Sequence, residues 1–277
     1  MAKTSIDTWT PNFFTSPLFE PIQALAPQIK HFITWPTLND YQNILESAPP
    51  VHSKHNQIIR FVSQGSKPDC FEDQYEARIF LKGEVQTRLE NWHDFFQVLV
   101  WRSFPRTKIE LNALHYQAAI QRLQTSQKNK NRSPIENAIT LFDECGVIIV
   151  TSHPELESLI REHQWKQLFW HQREDLQKQL KCVVFGHALY EKALTPYIGM
   201  TGHGLILTAD QEILDLSQEE LVLYCDEQVA KKFTRDHRAI TSPKDLCPFP
   251  LLGMPGWHPD NHQESFYDNT QYFRAKR

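Results

Sequence analysis

His93 and Asp94 stand side by side in Arg88 to Lys108, RLENWHDFFQVLVWRSFPRTK, the densest run of aromatics in the 277-residue chain. An imidazole serves as a general base or a metal ligand, and a neighbouring carboxylate can orient it. A second pair, His187 and Glu191, is spaced i, i+4 at a strand-to-helix junction, so both side chains share a face. The four residues together are candidates for catalysis and for a divalent metal, because imidazole and carboxylate donors suit Zn, Mn or Fe. The plainer reading is a buried hydrogen-bonded network in which His93 and Glu191 satisfy each other. Arg106 and Lys108 offer cations to a small anionic ligand. Asn112 and His115, three apart on one helical face, and Trp257 in PGWHPDN complete the candidate ligand-binding residues. Asp143 and Glu144 read as turn residues first, with an acid pair as the alternative. Cys145 as a nucleophile would require a histidine base nearby.

These groups need elements to hold them. At about 100° per residue, the segment Arg88 to Lys108 is a helix apolar nearly all round. Its single polar strip is Glu90, His93, Asp94 and Gln97, with Trp101 at the edge. Pro105 ends this helix, because the residue before a proline is driven from the helical region. A second helix covers Ile109 to Thr125, followed by a basic loop, Gln127 to Ser133. Ser133-Pro134-Ile135-Glu136 is a capping box, yet Ile139 to Phe142 and Val147 to Val150 flank DECG in a hairpin pattern. The preferred reading is a brief helical start and then that hairpin. Capping patterns at Ser152-His153-Pro154-Glu155 and Ser217-Gln218-Glu219-Glu220 open a helix, or pair of helices, to about Lys181 and a further helix to about Lys232. Strands are expected at Asn56 to Gln64, Lys181 to Phe185 and Gly204 to Thr208. Asp73 to Leu89 reads as helical or helix-turn. Two short helices, Pro21 to Phe32 and Leu38 to Glu46, lie in the first seventy residues.

Composition narrows the function classes. Hydrophobic residues make up 40% and charged residues 22%, enough for a sizeable core, and the net charge of -4 argues against general nucleic-acid binding. Five scattered cysteines with no C-x-x-C fit a reducing compartment. No window approaches a membrane span and no signal-peptide core is seen, so a soluble, cytoplasmic protein is expected. G-x-S-x-G, G-x-x-x-x-G-K, G-x-G-x-x-G and H-E-x-x-H are all absent, which excludes the common nucleotide-cofactor chemistries. The adjacent His-Asp pair resembles the metal ligands of HD-type phosphohydrolases. The upstream histidine of that pattern would have to be His52 or His55, in a loop, a poor fit.

The runs NWHDFFQVLVWRSFPRTKIELNALH, AITLFDECG, VVFGHALYEKAL, PFPLLGMPGW and FYDNTQYFR, in this order from Trp92 to Arg274, resemble a bacterial family of unknown function, number 3025 of the uncharacterised-domain series. The resemblance implies one family domain and carries over no activity, cofactor or catalytic residue. The chain has Gln97 where that family has asparagine, and Asn137 where it has aspartate. The expectation is a helix-rich α+β single domain. Residues 1–70 form a proline-rich wrapping arm, and residues 71–277 form the domain with its C-terminal tail packed back on it. Its small sheet is drawn from Ile139 to Phe142, Val147 to Val150, Cys182 to Phe185 and Leu205 to Thr208. Two function classes stand open: a metal-dependent hydrolase acting on a small anionic substrate, and a non-catalytic binding protein whose buried polar residues are structural.

Overall fold

The computed structural model describes residues 8–125, 132–234 and 240–276, so most of the basic loop expected at Gln127 to Ser133 lies outside the described residues. The chain begins with the arm. A 3-10 turn, Pro17–Leu25, runs into α1 (Ala26–Ile29), and α2 (Leu38–Glu46) follows behind a Thr37–Asp40 capping box. Short apolar patches broken by prolines cannot form long elements, and here they clamp aromatics onto the body instead. Trp9 stacks on Trp92 at 5.2 Å between ring centres, and Phe13 and Phe19 pack against Phe96.

β1 (Arg60–Ser63) pairs in parallel with β2 (Glu84–Thr87), and α3 (Tyr75–Lys82) connects them. The segment Asp73 to Leu89, expected as helical or helix-turn, is helical only over Tyr75–Lys82 and continues as the strand β2. Gly83, at φ 71°, provides the left-handed C-cap that an L side chain resists. α4 (Trp92–Ser103) is the core helix. It is shorter than the polar strip required, for Glu90 has φ 53° and precedes it, and the Asn91 side chain caps it. Pro105 stops α4 and also starts α5 (Pro105–Thr125), since a proline without an N–H costs nothing in a first turn. The first amides of α5 are capped from a distant element: the Asp226 carboxylate accepts from Arg106 N at 3.1 Å and Thr107 N at 2.8 Å.

The expected hairpin at Ile139 to Val150 is not formed. α6 (Pro134–Cys145) is continuous through Ile139 to Phe142, and only Gly146 onward is strand, as β3 (Gly146–Thr151). The capping box at Ser133 and Glu136 is satisfied in both directions, and Ala138, Ile139 and Phe142 bury one helical face. Gly146 has φ -70°, so the left-handed turn the hairpin demanded is absent. After β3 come α7 (Pro154–Arg161), a π turn at Gln167–His171, α8 (Arg173–Gln179) and β4 (Leu180–Val184). α7 starts without the side-chain cap that its sequence pattern promised, and the helix or pair of helices expected to about Lys181 is a pair, α7 and α8, with the π turn between them. α9 (His187–Ala193), β5 (Thr201–Thr208), α10 (Gln211–Leu214) and α11 (Gln218–Phe233) follow.

The larger sheet has the order β4-β3-β5-β6, with β3 and β5 parallel and the outer pairs antiparallel. The fourth strand is β6 (Cys247–Pro250), paired with β5, and not Ile139 to Phe142 against Val147 to Val150. β3 is buried at every residue, which explains a run of apolar residues without alternation. The C-terminal segment wraps back as expected. The Tyr272 hydroxyl donates to Met200 O and accepts from Leu252 N, while Trp165 Nε1 donates to Arg274 O. The result is an α+β single domain, predominantly helical, with two small sheets. No helix among the described residues is long and apolar enough to cross a membrane.

Candidate metal centre

Three helices bring donor atoms together. His93 lies in the first turn of α4, Glu144 in the last turn of α6, and His187 is the first residue of α9. The convergence depends on one close approach. Phe185 N and Gly186 N both donate to Gly146 O, at 3.0 and 2.9 Å, which seats the β4–α9 turn on the α6–β3 junction. A Cβ on Gly186 would collide with the backbone of Glu144, Cys145 and Gly146. Only glycine lets the two turns meet, and their meeting places His187 beside Glu144.

His93 Nε2 and His187 Nε2 are 3.0 Å apart, and Glu144 Oε2 stands 3.8 and 3.7 Å from them. The point equidistant from these three atoms lies about 2 Å from each, the bond length of about 2.0–2.2 Å that zinc makes to imidazole nitrogen and carboxylate oxygen. The far nitrogen of His93, Nδ1, lies 3.0 Å from Glu191 Oε2. A carboxylate in that position can fix the tautomer of an imidazole and turn its opposite nitrogen toward a metal. His187 Nδ1 is buried without a hydrogen-bond partner, with Asp143 Oδ2 at 3.9 Å.

Electrostatics separates the two imidazoles. The hydrogen bond to Glu191 raises the His93 pKa despite the opposing effect of burial. Burial pushes His187 down to about 3, against the pull of Asp143, so this ring is neutral at ordinary pH. Burial also raises the Glu144 carboxyl. For Asp143, burial acts upward but is outweighed, chiefly by the Lys108 ammonium, and its pKa is lowered. Lys108 Nζ donates to Asp143 Oδ1 at 2.6 Å and lies 5.2 Å from the centre of the Trp101 ring.

The three donors line a cavity of about 710 Å³, within the size range of small-molecule sites. Its remaining walls come from α3, α4, α5, α6 and the segment 64–68. Asn112 donates to Glu76 Oε2 at 2.7 Å, and His115 Nδ1 is buried without a partner. Of the residues singled out by sequence, His93, Asp94, Lys108, Asn112, His115 and His187 all line this cavity, and Glu191 stands behind His93.

Two candidates fall elsewhere. Arg106 is exposed on α5 and pairs with Glu227, because its backbone position at the capped helix start turns it toward α11. Trp257 packs half-buried against the hydrophobic core, outside the cavity lining. Asp94 lines the cavity but is not one of the three clustered donors. Its carboxylate is taken by Arg88, through Nη2 at 2.8 Å, Nε at 3.1 Å and the backbone N–H at 2.6 Å. His52 and His55 do not line the cavity, so the HD-type pattern is not assembled.

Sequence reasoning missed Glu144 as a metal-ligand candidate, and it missed Arg88. The signal for Glu144 was present in the capping box. Carrying that helix through twelve residues puts Asp143 and Glu144 on its final turn instead of in a hairpin loop. For Arg88 no local signal exists, since it precedes α4 and meets Asp94 only because the chain doubles back at Glu90.

Neither a search of curated proteins nor one of solved structures returned a match to this chain. The family model described as "Protein of unknown function (DUF3025)" matches residues 59–277, a span that includes His93, Glu144, His187 and Glu191. With more than three quarters of its length matched, the chain belongs to the DUF3025 family.

Proposed function

We propose that the protein is a metal-dependent hydrolase acting on a small anionic substrate, with one divalent ion held by His93, His187 and Glu144. The observation that carries this reading is the convergence of three donor atoms from three helices, at spacings one ion satisfies, with Glu191 on the far nitrogen of His93. A set of two imidazoles and one carboxylate leaves coordination positions open, the mark of a catalytic as opposed to a structural site. When bound, such an ion lowers the pKa of a water toward about 7 and polarises the bond under attack. The protein's own residues do the rest. Glu191 holds the His93 ring in place, Asp143 and Lys108 set the field beside His187, and His115 on the cavity wall can give a proton to the leaving group.

The test is elemental mass spectrometry of purified, untagged protein beside Glu144→Gln and His187→Ala. The expected result is near-stoichiometric Zn, Mn or Fe in the parent, lost in both variants while circular dichroism is unchanged. A second reading is a non-catalytic role, favoured by the 3.0 Å His93–His187 approach, which lets the network close on itself. A parent that takes up none of these ions, with variants that unfold, would establish that reading and overturn the first.

A further inference from the structure

The cavity wall carries four cations, Lys67, Arg88, Lys108 and Arg132. It carries four carboxylates as well, Glu76, Asp94, Asp143 and Glu144, and Glu191 stands behind His93. Without a metal the cavity is therefore balanced or slightly negative and does not favour an anion. A divalent ion makes it net positive, so anion binding is conditional on the metal.

The cations are not equivalent. Lys108 is buried and spent on Asp143. Lys67 and Arg132 are exposed and have no acidic partner among the described residues. Arg88 is half exposed, and Asp94, whose side chain is only 9% exposed, grips one edge of its guanidinium through Nε and Nη2. A planar fork anchored on one edge still presents Nη1. The bond to Asp94, and after it the field of Glu191, raises the Arg88 pKa and keeps the group charged. Arg88 lines the same cavity as His93, Glu144 and His187, and the charge of Glu191, which also binds His93, acts on its guanidinium.

We infer that the substrate is a phosphomonoester, and that Arg88, oriented by Asp94, grips its phosphoryl oxygens beside the metal; this rests on the metal-dependent hydrolase reading of the same cavity. A phosphomonoester carries about -1.5 to -2 charges at neutral pH, against one for a carboxylate. That charge suits a cavity made positive by one divalent ion and two rim cations. Guanidinium and metal both match phosphoryl oxygens in geometry. In the reaction the oxygen of water bonds to phosphorus as the bond from phosphorus to the alcohol oxygen breaks. The alcohol oxygen takes one proton, inorganic phosphate leaves with the other, and no co-reactant is needed. Asp94 is a positioning residue and Arg88 a substrate-binding one.

The experiment is calorimetric titration of inorganic phosphate into zinc-loaded and metal-stripped full-length protein, with zinc content measured on each sample. Arg88→Gln, Arg88→Lys and the exposed control Arg106→Gln are compared. Phosphate is expected to bind the zinc-loaded parent and Arg106→Gln equally. Binding should weaken at least about tenfold in Arg88→Gln with zinc retained, by an intermediate factor in Arg88→Lys, and be undetectable in stripped protein. The zinc-loaded parent should cleave para-nitrophenyl phosphate in preference to para-nitrophenyl acetate. Equal phosphate binding by zinc-loaded Arg88→Gln and parent, equal binding by stripped protein, or preference for the acetate would overturn the inference while leaving the metal reading intact. Failure of the parent to hold zinc would overturn the metal reading itself.

Discussion

At the scale of single residues, the proposed metal centre divides into groups that would touch an ion and groups that hold those in place. Glu191 is partly exposed and its bond to His93 Nδ1 adds little to the fold. Glu191→Gln is therefore expected to lower metal affinity about 10–100-fold with a nearly unchanged melting temperature, measured by competition with a chromogenic chelator. Lys108 is different. Its side chain is 6% exposed and its charge compensates Asp143, whose side chain is 17% exposed, so Lys108→Met leaves a largely enclosed carboxylate without its cation. A loss of about 3–5 kcal/mol in urea unfolding is expected.

Glu136 provides a pH test away from the cavity. Burial opposes its charge, but Arg122 and the Ser133 N–H and hydroxyl win, and its pKa lies below the ordinary 4.5. A carboxylate depressed on folding contributes stability that is fully present above the ordinary value and is lost as pH falls through the folded one. The stability gap between the parent and Glu136→Gln should accordingly be largest near neutral pH and shrink as pH drops below about 4.5.

At the scale of elements, the decisive feature is the α6–β3 junction. Ser133→Ala removes one half of the α6 capping box and should cost about 1 kcal/mol, read from denaturant unfolding. It leaves Glu144 in place, so metal content should not change. Gly186→Ala should act the other way. The added methyl group meets the backbone of Glu144 to Gly146, forcing the β4–α9 turn away from α6. His187 then separates from Glu144, and metal content should fall even where circular dichroism shows the helices intact. The helices were legible because caps and 3.6-residue periodicity are local signals; α2 matched its expected bounds, and α11 did so within a residue. The strand expected at Ile139 to Phe142 failed because β-branched and aromatic residues there also fit a helical stripe, and the cap decided between them.

For the whole molecule, the arm works as a clamp on α4. Trp9, Phe13 and Phe19 cover Trp92, Phe95 and Phe96, so the apolar side of α4 is sealed by the arm while His93, Asp94 and Gln97 face the cavity. Trp9→Ala should cost about 2 kcal/mol, since a partly buried ring stack is lost. It should also loosen α4, seen as faster amide exchange in its first turn. Exchange in α4 equal to that of the parent would sever the arm from the support of the site.

The amino-acid sequence by itself determined the helix-rich class, most helix starts, the buried character of α4, the packed C-terminal segment and the candidacy of His93 and His187. Each of these follows from periodicity, capping or burial cost, which act over a few residues. Tertiary structure alone decided that Glu144, not Asp94, faces the two imidazoles, that Asp94 instead secures Arg88, and that Arg106 and Trp257 lie elsewhere. Those outcomes depend on contacts between residues far apart in the chain: Gly186 against the end of α6, and His93 against Glu191. The direction in which a helix's last turn points is set by what packs on it, and no local pattern encodes that.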